Sequence, residues 1–273
     1  MRLTFIGAGT MAEAMIRSTL EQQVVRKNDI TATDIIPARL DYIRQKYGIN
    51  SLSDNLVAVH GADIAILSIK PQDMPLAAKE LKGKLAANQT LLSIMAGVSI
   101  KSIEDSFGHK RVIRVMPNTP AQIGAGMSIW IATTTVTEAH KKAVAIILKT
   151  LGDEIYVDDE KYIDMATALS GSGPAYVFLF IEALVDAGVH MGLPRDVSKR
   201  LVIQTVIGSA RLVKETGLHT AELKDMVSSP GGTTVEGILE LEKGQFRTDI
   251  IKAVLAAYEK AKHFSRQDQM GKG

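Results

Sequence analysis

The chain has 273 residues, 46% of them hydrophobic, and its 32 Lys and Arg against 30 Asp and Glu leave a net charge of +2. That length and apolar content suit two modest domains with a substantial core, and the balanced charge gives no electrostatic reason to expect a nucleic acid or an anionic membrane as partner. Cysteine is absent, which excludes disulfides, thiolate catalysis and Cys-ligated metals and points to a reducing, cytoplasmic setting.

No signal peptide is expected, because strand-forming residues and Gly7 follow Arg2 directly. Residues 3–6 predict a short buried strand. Gly7-x-Gly9-x-x-Ala12 follows at once, and a helical pattern (Met11, Met15, Ile16, Leu20) begins inside it. Strand, glycine turn and helix in that order are what a dinucleotide pyrophosphate requires. Gly7 permits the tight turn, Gly9 lets backbone approach phosphate, and Ala12 lets the helix pack closely on the strand. The helix N-terminus adds free N–H groups and the positive end of a dipole.

The pattern then alternates. Residues 30–33 predict a second strand ending at Asp34, and Pro37 opens a helix through Tyr47 that Gly48 stops. Asp54 caps a short helix over 55–60. Residues 63–69 form a nearly continuous apolar run, as a central parallel strand buried on both faces would. Lys70-Pro71 breaks it, and 74–85 reads as helix. Strands are predicted at 90–95, 111–116, 127–132 and 154–157. Helices are predicted at 99–107 and, capped by Thr137, to about 151. This alternation predicts an α/β fold with a Rossmann-like, doubly wound sheet.

After about Asp158 strand signals cease. Residues 163–169, 174–191, 194–215, 220–226, 233–242 and 248–264 all read as helices, with Pro174 and Pro194 near starts and Gly192 and Gly217 at stops. The tail from Ser265 is polar, contains Gly271 and Gly273, and is expected to fray. The predicted division is 1–158 for a dinucleotide-binding domain and 159–273 for an all-α domain. Residues 176–184 are apolar almost all round, so that helix needs cover on most sides. A homodimer through the helical half would complete its core. The most apolar run, 175–181, is too short to span a bilayer.

Several positions are suited to chemistry. Asp34 ends the second strand, where a carboxylate accepts from the adenosine ribose 2′-hydroxyl and repels a 2′-phosphate, favouring NADH. The nearest compensating cation in sequence is Arg39. Ser68-Ile69-Lys70-Pro71, Ala96-Gly97 and Met116-Pro117-Asn118-Thr119-Pro120 also end predicted strands, the edge where open α/β sheets take ligands. Lys70 reads equally as a phosphate contact or a solvated charge. Two glycine-rich segments lie among helices: Ser170-Gly171-Ser172-Gly173-Pro174 and Ser228-Ser229-Pro230-Gly231-Gly232-Thr233-Thr234. The second precedes a helix and would cradle a carboxylate, although an ordinary interhelical loop fits the same pattern. The six histidines are scattered and none has metal-ligand spacing, so no metal is expected. A cofactor fold without an evident acid–base pair suits hydride transfer to an electrophilic carbon, as in an imine.

Taken with Ile69-Lys70-Pro71-Gln72, Val115–Pro120, Ala168–Tyr176 and Ser228–Thr234, the chain resembles the pyrroline-5-carboxylate reductases over about residues 1–264. The resemblance implies reduction of 1-pyrroline-5-carboxylate to L-proline with NADPH or NADH, the last step of proline synthesis. It implies a Rossmann-like domain, a helical dimerisation domain, and a homodimer that can assemble further. It also implies that Gly7, Gly9, Thr10 and Met11 hold the pyrophosphate. Asn55, Ser68, Lys70, Pro71, Ala96 and Gly97 would line the cofactor, beside Asp34. Ser229, Gly232, Thr233 and Thr234 would receive the substrate, with the Thr234 hydroxyl on the imine nitrogen as the catalytic contact and Glu160 near the ring. Members that use NADP commonly carry Ser or Arg after the second strand, where this chain has Asp34-Ile35-Ile36. A β-hydroxyacid dehydrogenase, whose helical-domain lysine would be Lys199, and a non-catalytic nucleotide-sensing dimer are the rival readings.

Overall fold

The computed structural model describes residues 1–270, with side chains through Ser265. The chain forms two compact units. One comprises Met1–Ser172 together with the segment from Ala257 onward, and the other is Gly173–Ala256.

The first unit is built on an eight-stranded sheet of order β3-β2-β1-β4-β5-β6-β7-β8. Its strands are β1 (Leu3–Ile6), β2 (Ile30–Thr33), β3 (Asn50–Leu52), β4 (Ile64–Leu67), β5 (Thr90–Ser93), β6 (Val112–Met116), β7 (Gly126–Ala132) and β8 (Gly152–Tyr156). All neighbours run parallel except β6 and β7, which are antiparallel. Strands β1, β4 and β5 are buried at every residue, as the apolar run at 63–69 predicted for a sheet covered on both faces.

The helices of this unit are α1 (Thr10–Glu21), α2 (Pro37–Tyr47), α3 (Asn55–Val59), α4 (Met74–Leu81), α5 (Ile100–Phe107), α6 (Glu138–Lys149) and α7 (Lys161–Ala166). Their ends follow local chemistry. Pro37 stands at the start of α2, and Gly48 closes that helix in the left-handed region at φ 64°. The side chains of Asp54, Ser99 and Thr137 accept backbone N–H groups at the starts of α3, α5 and α6. Helix α4 stops at Leu81, short of the predicted 85, because Gly83 turns the chain at φ 70°. Strand β3 was not expected; it is a three-residue edge strand with only Ser51 buried, so it carries no apolar run. Helix α7 passes into a π-helical turn over Thr167–Gly171.

The second unit holds α8 (Gly173–His190), α9 (Arg195–Thr216), α10 (Thr220–Met226), α11 (Thr233–Lys243) and the first part of α12 (Phe246–Met270). Helices α8 and α9 cross where Gly188 meets Ser198, whose hydroxyl donates to the Val185 carbonyl at 2.9 Å. The fraying expected from Ser265 does not begin there, since α12 runs to Met270. Gly271 and Gly273 lie outside the described residues.

One charged residue sits inside the sheet. Arg114 on β6 is 1% exposed. Its Nη1 donates to Glu160 Oε1 at 2.7 Å and its Nη2 to Asp164 Oδ1 at 2.8 Å. Glu160 Oε1 also accepts from the Ile100 N–H at 2.8 Å, and Asp164 Oδ1 accepts from the Ser265 hydroxyl at 3.0 Å. Strand β6, the start of α5, helix α7 and the end of α12 therefore share one ionic knot. Removing one partner of a buried ion pair strands the others in low dielectric, so Arg114→Ala should lower unfolding free energy by about 3 kcal/mol or more, read as a shift of the urea midpoint.

Candidate active site

The order of the sheet reverses beside β1, which lies between β2 and β4. Open α/β sheets bind ligands outside the carboxyl ends of strands at such a switch point. The loop after β1 is drawn tightly into that edge. Gly7 N–H donates to the Thr33 carbonyl at 3.0 Å, and Ser68 N–H donates to the Ile6 carbonyl at 2.9 Å. The Ser68 hydroxyl donates to the Gly7 carbonyl at 2.6 Å. Gly7 has φ +91°, and a Cβ there would lie 2.8 Å from the Ser68 carbonyl oxygen. Only glycine meets both constraints.

Gly9 behaves differently. It stands immediately before α1 with no side-chain cap, and a Cβ built on it would meet nothing within 4 Å. Protein backbone encloses Gly7, whereas open space lies over Gly9. Thr10 is exposed, Met11 is half-buried, and Ala12 is fully buried. The start of α1 thus has no side-chain cap and open space over Gly9, the kind of helix N-terminus that can receive an anion. Asp34, directly after β2, turns both carboxylate oxygens to backbone: Oδ2 accepts from the Ala8 N–H and Oδ1 from the Ile36 N–H, each at 2.9 Å.

The remaining cofactor candidates lie along the same edge. Asn55 opens α3; its Oδ1 accepts from the Thr33 hydroxyl at 2.6 Å and its Nδ2 donates to Glu80 at 2.7 Å. Lys70 and Pro71 are exposed in the turn after β4. Ala96 is exposed after β5, while Gly97 is buried at φ +71° with a Cβ position 2.8 Å from Phe264 Cβ. Gly7, Gly9, Thr10, Met11, Asp34, Asn55, Ser68, Lys70, Pro71, Ala96 and Gly97 therefore follow the ends of β1, β2, β3, β4 and β5. Glu160, expected near a substrate ring, has its carboxylate on Arg114 and Ile100. Asn118 serves as a joint: its Nδ2 donates to the Ser170 carbonyl at 3.1 Å, and its Oδ1 accepts from the Met127 N–H at 2.8 Å.

In the helical unit, the second glycine-rich segment leads into α11. Gly231 has φ +68°, and a Cβ on Gly232 would fall 2.4 Å from the Ser229 hydroxyl oxygen. Gly232 precedes α11 without a side-chain cap. Its own N–H donates to the Ser229 carbonyl at 2.9 Å. The leading N–H groups of Thr233 and Thr234 are left for an external acceptor, the arrangement that binds a carboxylate. Among the described residues, no group of His, Asp or Glu could hold a metal ion.

Two comparisons along the chain bear on this geometry. Residues 160–264 match the family model for pyrroline-5-carboxylate reductase dimerisation, and residues 2–97 match that for NADP oxidoreductase, coenzyme F420-dependent. The pyrroline-5-carboxylate reductase of Arabidopsis thaliana is 44% identical over 266 residues, covering 97% of this chain and 96% of the relative. The chain belongs to the pyrroline-5-carboxylate reductase family. The Escherichia coli member is 36% identical over 97% of the chain and 98% of its own length. Solved structures agree. A pyrroline-5-carboxylate reductase from Coxiella burnetii superposes with a TM-score of 0.90 at 36% identity, and the Plasmodium falciparum enzyme with NADP bound superposes at 0.88 and 35%. Each comparison covers 97% of this chain and 98% of the solved one. Prephenate dehydrogenase from Aquifex aeolicus, at 17% identity and a TM-score of 0.53, shares the fold alone.

Sequence reasoning about this pyrroline-5-carboxylate reductase family member missed a second layer behind the glycine loop. Glu13, on the first turn of α1, accepts from Lys46 Nζ at 2.9 Å, Tyr47 hydroxyl at 2.8 Å, Tyr42 hydroxyl at 3.0 Å and Arg39 Nη2. Burial by itself would raise its pKa. The donors Lys46, Arg39, Tyr47 and Tyr42 outweigh burial and take it from 4.5 down to about 2. Lys46 is held above its usual value by Tyr42 and Glu13. The signal was available only as acidic and basic residues on two separate helices, and nothing in their spacing pairs them. Because the folded value is depressed, the ionised Glu13 stabilises the protein fully above about 4.5 and loses that contribution as pH falls towards about 2. Glu13→Gln should therefore lower the urea midpoint at neutral pH but flatten its decline between about pH 5 and about pH 3.

Proposed function

We propose that the protein reduces 1-pyrroline-5-carboxylate to L-proline, with NADPH or NADH as the hydride source. The observation that carries the reaction is the likeness to reductases of this name over 97% of the chain, with the carboxylate-sized cradle ahead of α11 as its chemical counterpart. Bound reduced nicotinamide supplies a hydride to the C=N carbon. The chain's own groups do the rest. The open first turn of α1 holds the pyrophosphate, with Gly7, Gly9, Thr10 and Met11 as its backbone. Asn55, Ser68, Lys70, Pro71, Ala96 and Gly97 line the cofactor. Asp34 faces the adenosine ribose and favours NADH over NADPH.

The substrate carboxylate takes the N–H groups of Thr233 and Thr234, with Ser229 and Gly232 shaping the turn. The Thr234 hydroxyl fixes the ring nitrogen, whose proton comes from solvent or is already present. Glu160 contributes from the first unit, where its carboxylate holds Arg114 and the start of α5. No metal is needed, because an iminium carbon is already electrophilic and positioning supplies most of the acceleration.

The helical unit also supports a homodimer through residues 159–273. Among its described hydrophobic side chains, only Val185 is buried. Phe178 and Leu179 on α8 are 61% and 67% exposed. The helical stretch Lys161–His190 is long and apolar enough by composition to cross a membrane, and only 11% of an apolar 18-residue window within it is buried. A core exposed in this way is completed by a second copy presenting the same face. With no cysteine among 273 residues, we place the enzyme in the cytoplasm.

Two measurements test this reading. Thr234→Ala should lower kcat for pyrroline-5-carboxylate reduction by about tenfold, the worth of one well-placed hydrogen bond, with the NADPH Kd unchanged. Unaltered kinetics would remove Thr234 from the mechanism, and oxidation of 3-hydroxy acids in place of imine reduction would overturn the reaction itself. Leu179→Glu should convert the assembly to monomers by sedimentation velocity, since it drives a charge into the shared apolar face.

A further inference from the structure

The edge of the site after β2 carries a cation whose use is already contested. Arg39 on α2 donates from Nε to the Ala8 carbonyl at 2.6 Å. Asp34 takes the N–H of the same residue at 2.9 Å, so Ala8 is gripped on both sides from the β2–α2 segment. Arg39 Nη2 donates to Glu13 Oε2 and, more distantly, to the Gly9 carbonyl at 3.5 Å. The two charged side chains are 25% and 18% exposed, so their pairing is only partly screened by water. Among the described residues, Arg39 Nη1 makes no hydrogen bond.

The carboxylate in this pair does not depend on Arg39 for its position. Lys46, Tyr42 and Tyr47, further along α2, hold Glu13 as well. A guanidinium that left Glu13 for another anion would abandon a fixed carboxylate, and the loss would not be recovered by Glu13 following it. A ribose 2′-phosphate at the end of β2 would meet Asp34 as a like charge and would need Arg39 as its counter-ion, because guanidinium is the side chain best matched to phosphate. A ribose 2′-hydroxyl makes no such demand.

We propose that Glu13 is a cofactor-selectivity residue: by holding Arg39 in an ion pair, it withholds that cation from a 2′-phosphate and keeps the site biased towards NADH. The inference rests on the reading of the Gly7–Ala12 loop as an NAD(P)H site. It locates a selectivity determinant on α1, behind the loop, in addition to Asp34 at the end of β2. Glu13 acts through Arg39 and is a positioning residue.

Direct binding tests it without turnover. NADH and NADPH are titrated into the full chain by nicotinamide fluorescence, for the wild type, Glu13→Gln and Glu13→Gln/Arg39→Met. Glu13→Gln should strengthen NADPH relative to NADH by about threefold or more, the scale of a partly exposed ion pair. The Arg39→Met change in that background should cancel the gain. Glu13→Asp keeps the charge but withdraws it by one methylene, should shift the ratio the same way, and serves if Glu13→Gln does not fold. An unchanged or reversed ratio in either variant, or a gain that survives Arg39→Met, overturns the proposal. Failure of the wild type to bind either nucleotide overturns the dinucleotide reading instead, so the two failures are distinguishable.

Discussion

The enclosure of Arg114 is the constraint around which the first unit is assembled. A guanidinium 1% exposed within a strand is tolerable only if its charge is answered inside the fold. Glu160 just before α7 and Asp164 within it answer it, and the same two carboxylate oxygens also accept from the Ile100 N–H and the Ser265 hydroxyl. Elements drawn from residues 100 to 265 are thereby fixed to one strand. The arrangement contributes specificity more than net stability, because desolvation of three charged groups offsets much of their attraction. It defines which helix lies on the outer strands and where the start of α5 stands.

A second constraint acts at the other end of the sheet. The loop after β1 can approach the Ser68 carbonyl only because residue 7 has no Cβ, whereas a Cβ on residue 9 would meet nothing within 4 Å. One glycine is required by packing, and the next borders open space. Behind them, Asp34 and Arg39 clasp Ala8, and Glu13 braces Arg39. The glycine loop is thus held by charges that lie outside the motif, so its shape and its electrostatics are set together. The helical unit has the opposite character. Its apolar surface is largely uncovered within one chain, and its site element is a short uncapped turn at the head of α11.

Legibility followed the range of the interaction. Pro37, Gly48, Asp54 and Thr137 act on backbone within four residues, and the predicted helix starts and stops there coincide with the observed ones. The apolar run at 63–69 announced a central strand because burial on both faces leaves no polar alternation. Strand β3 had no such pattern, since Asn50 and Leu52 face solvent at a sheet edge. Nor did pattern reveal that β7 runs antiparallel to β6, because side-chain alternation is the same in either direction. Nothing in the predicted strand 111–116 singled out Arg114, because its carboxylates stand 46 and 50 residues away.

The sequence by itself determined the class of the fold, the family and the two glycine segments that lead into uncapped helix starts. These rest on local physics: helix periodicity, caps, positive φ and the lack of a Cβ act within a few residues and survive translation into any tertiary setting. Only the tertiary structure decided which charges meet. Asp34 was legible as the end of a strand, but its clasp on Ala8, the pairing of Arg39 with Glu13 and the knot around Arg114 join residues 26 to 101 positions apart. Electrostatic energy depends on distance and burial, and a linear chain specifies neither until the sheet has brought its ends together.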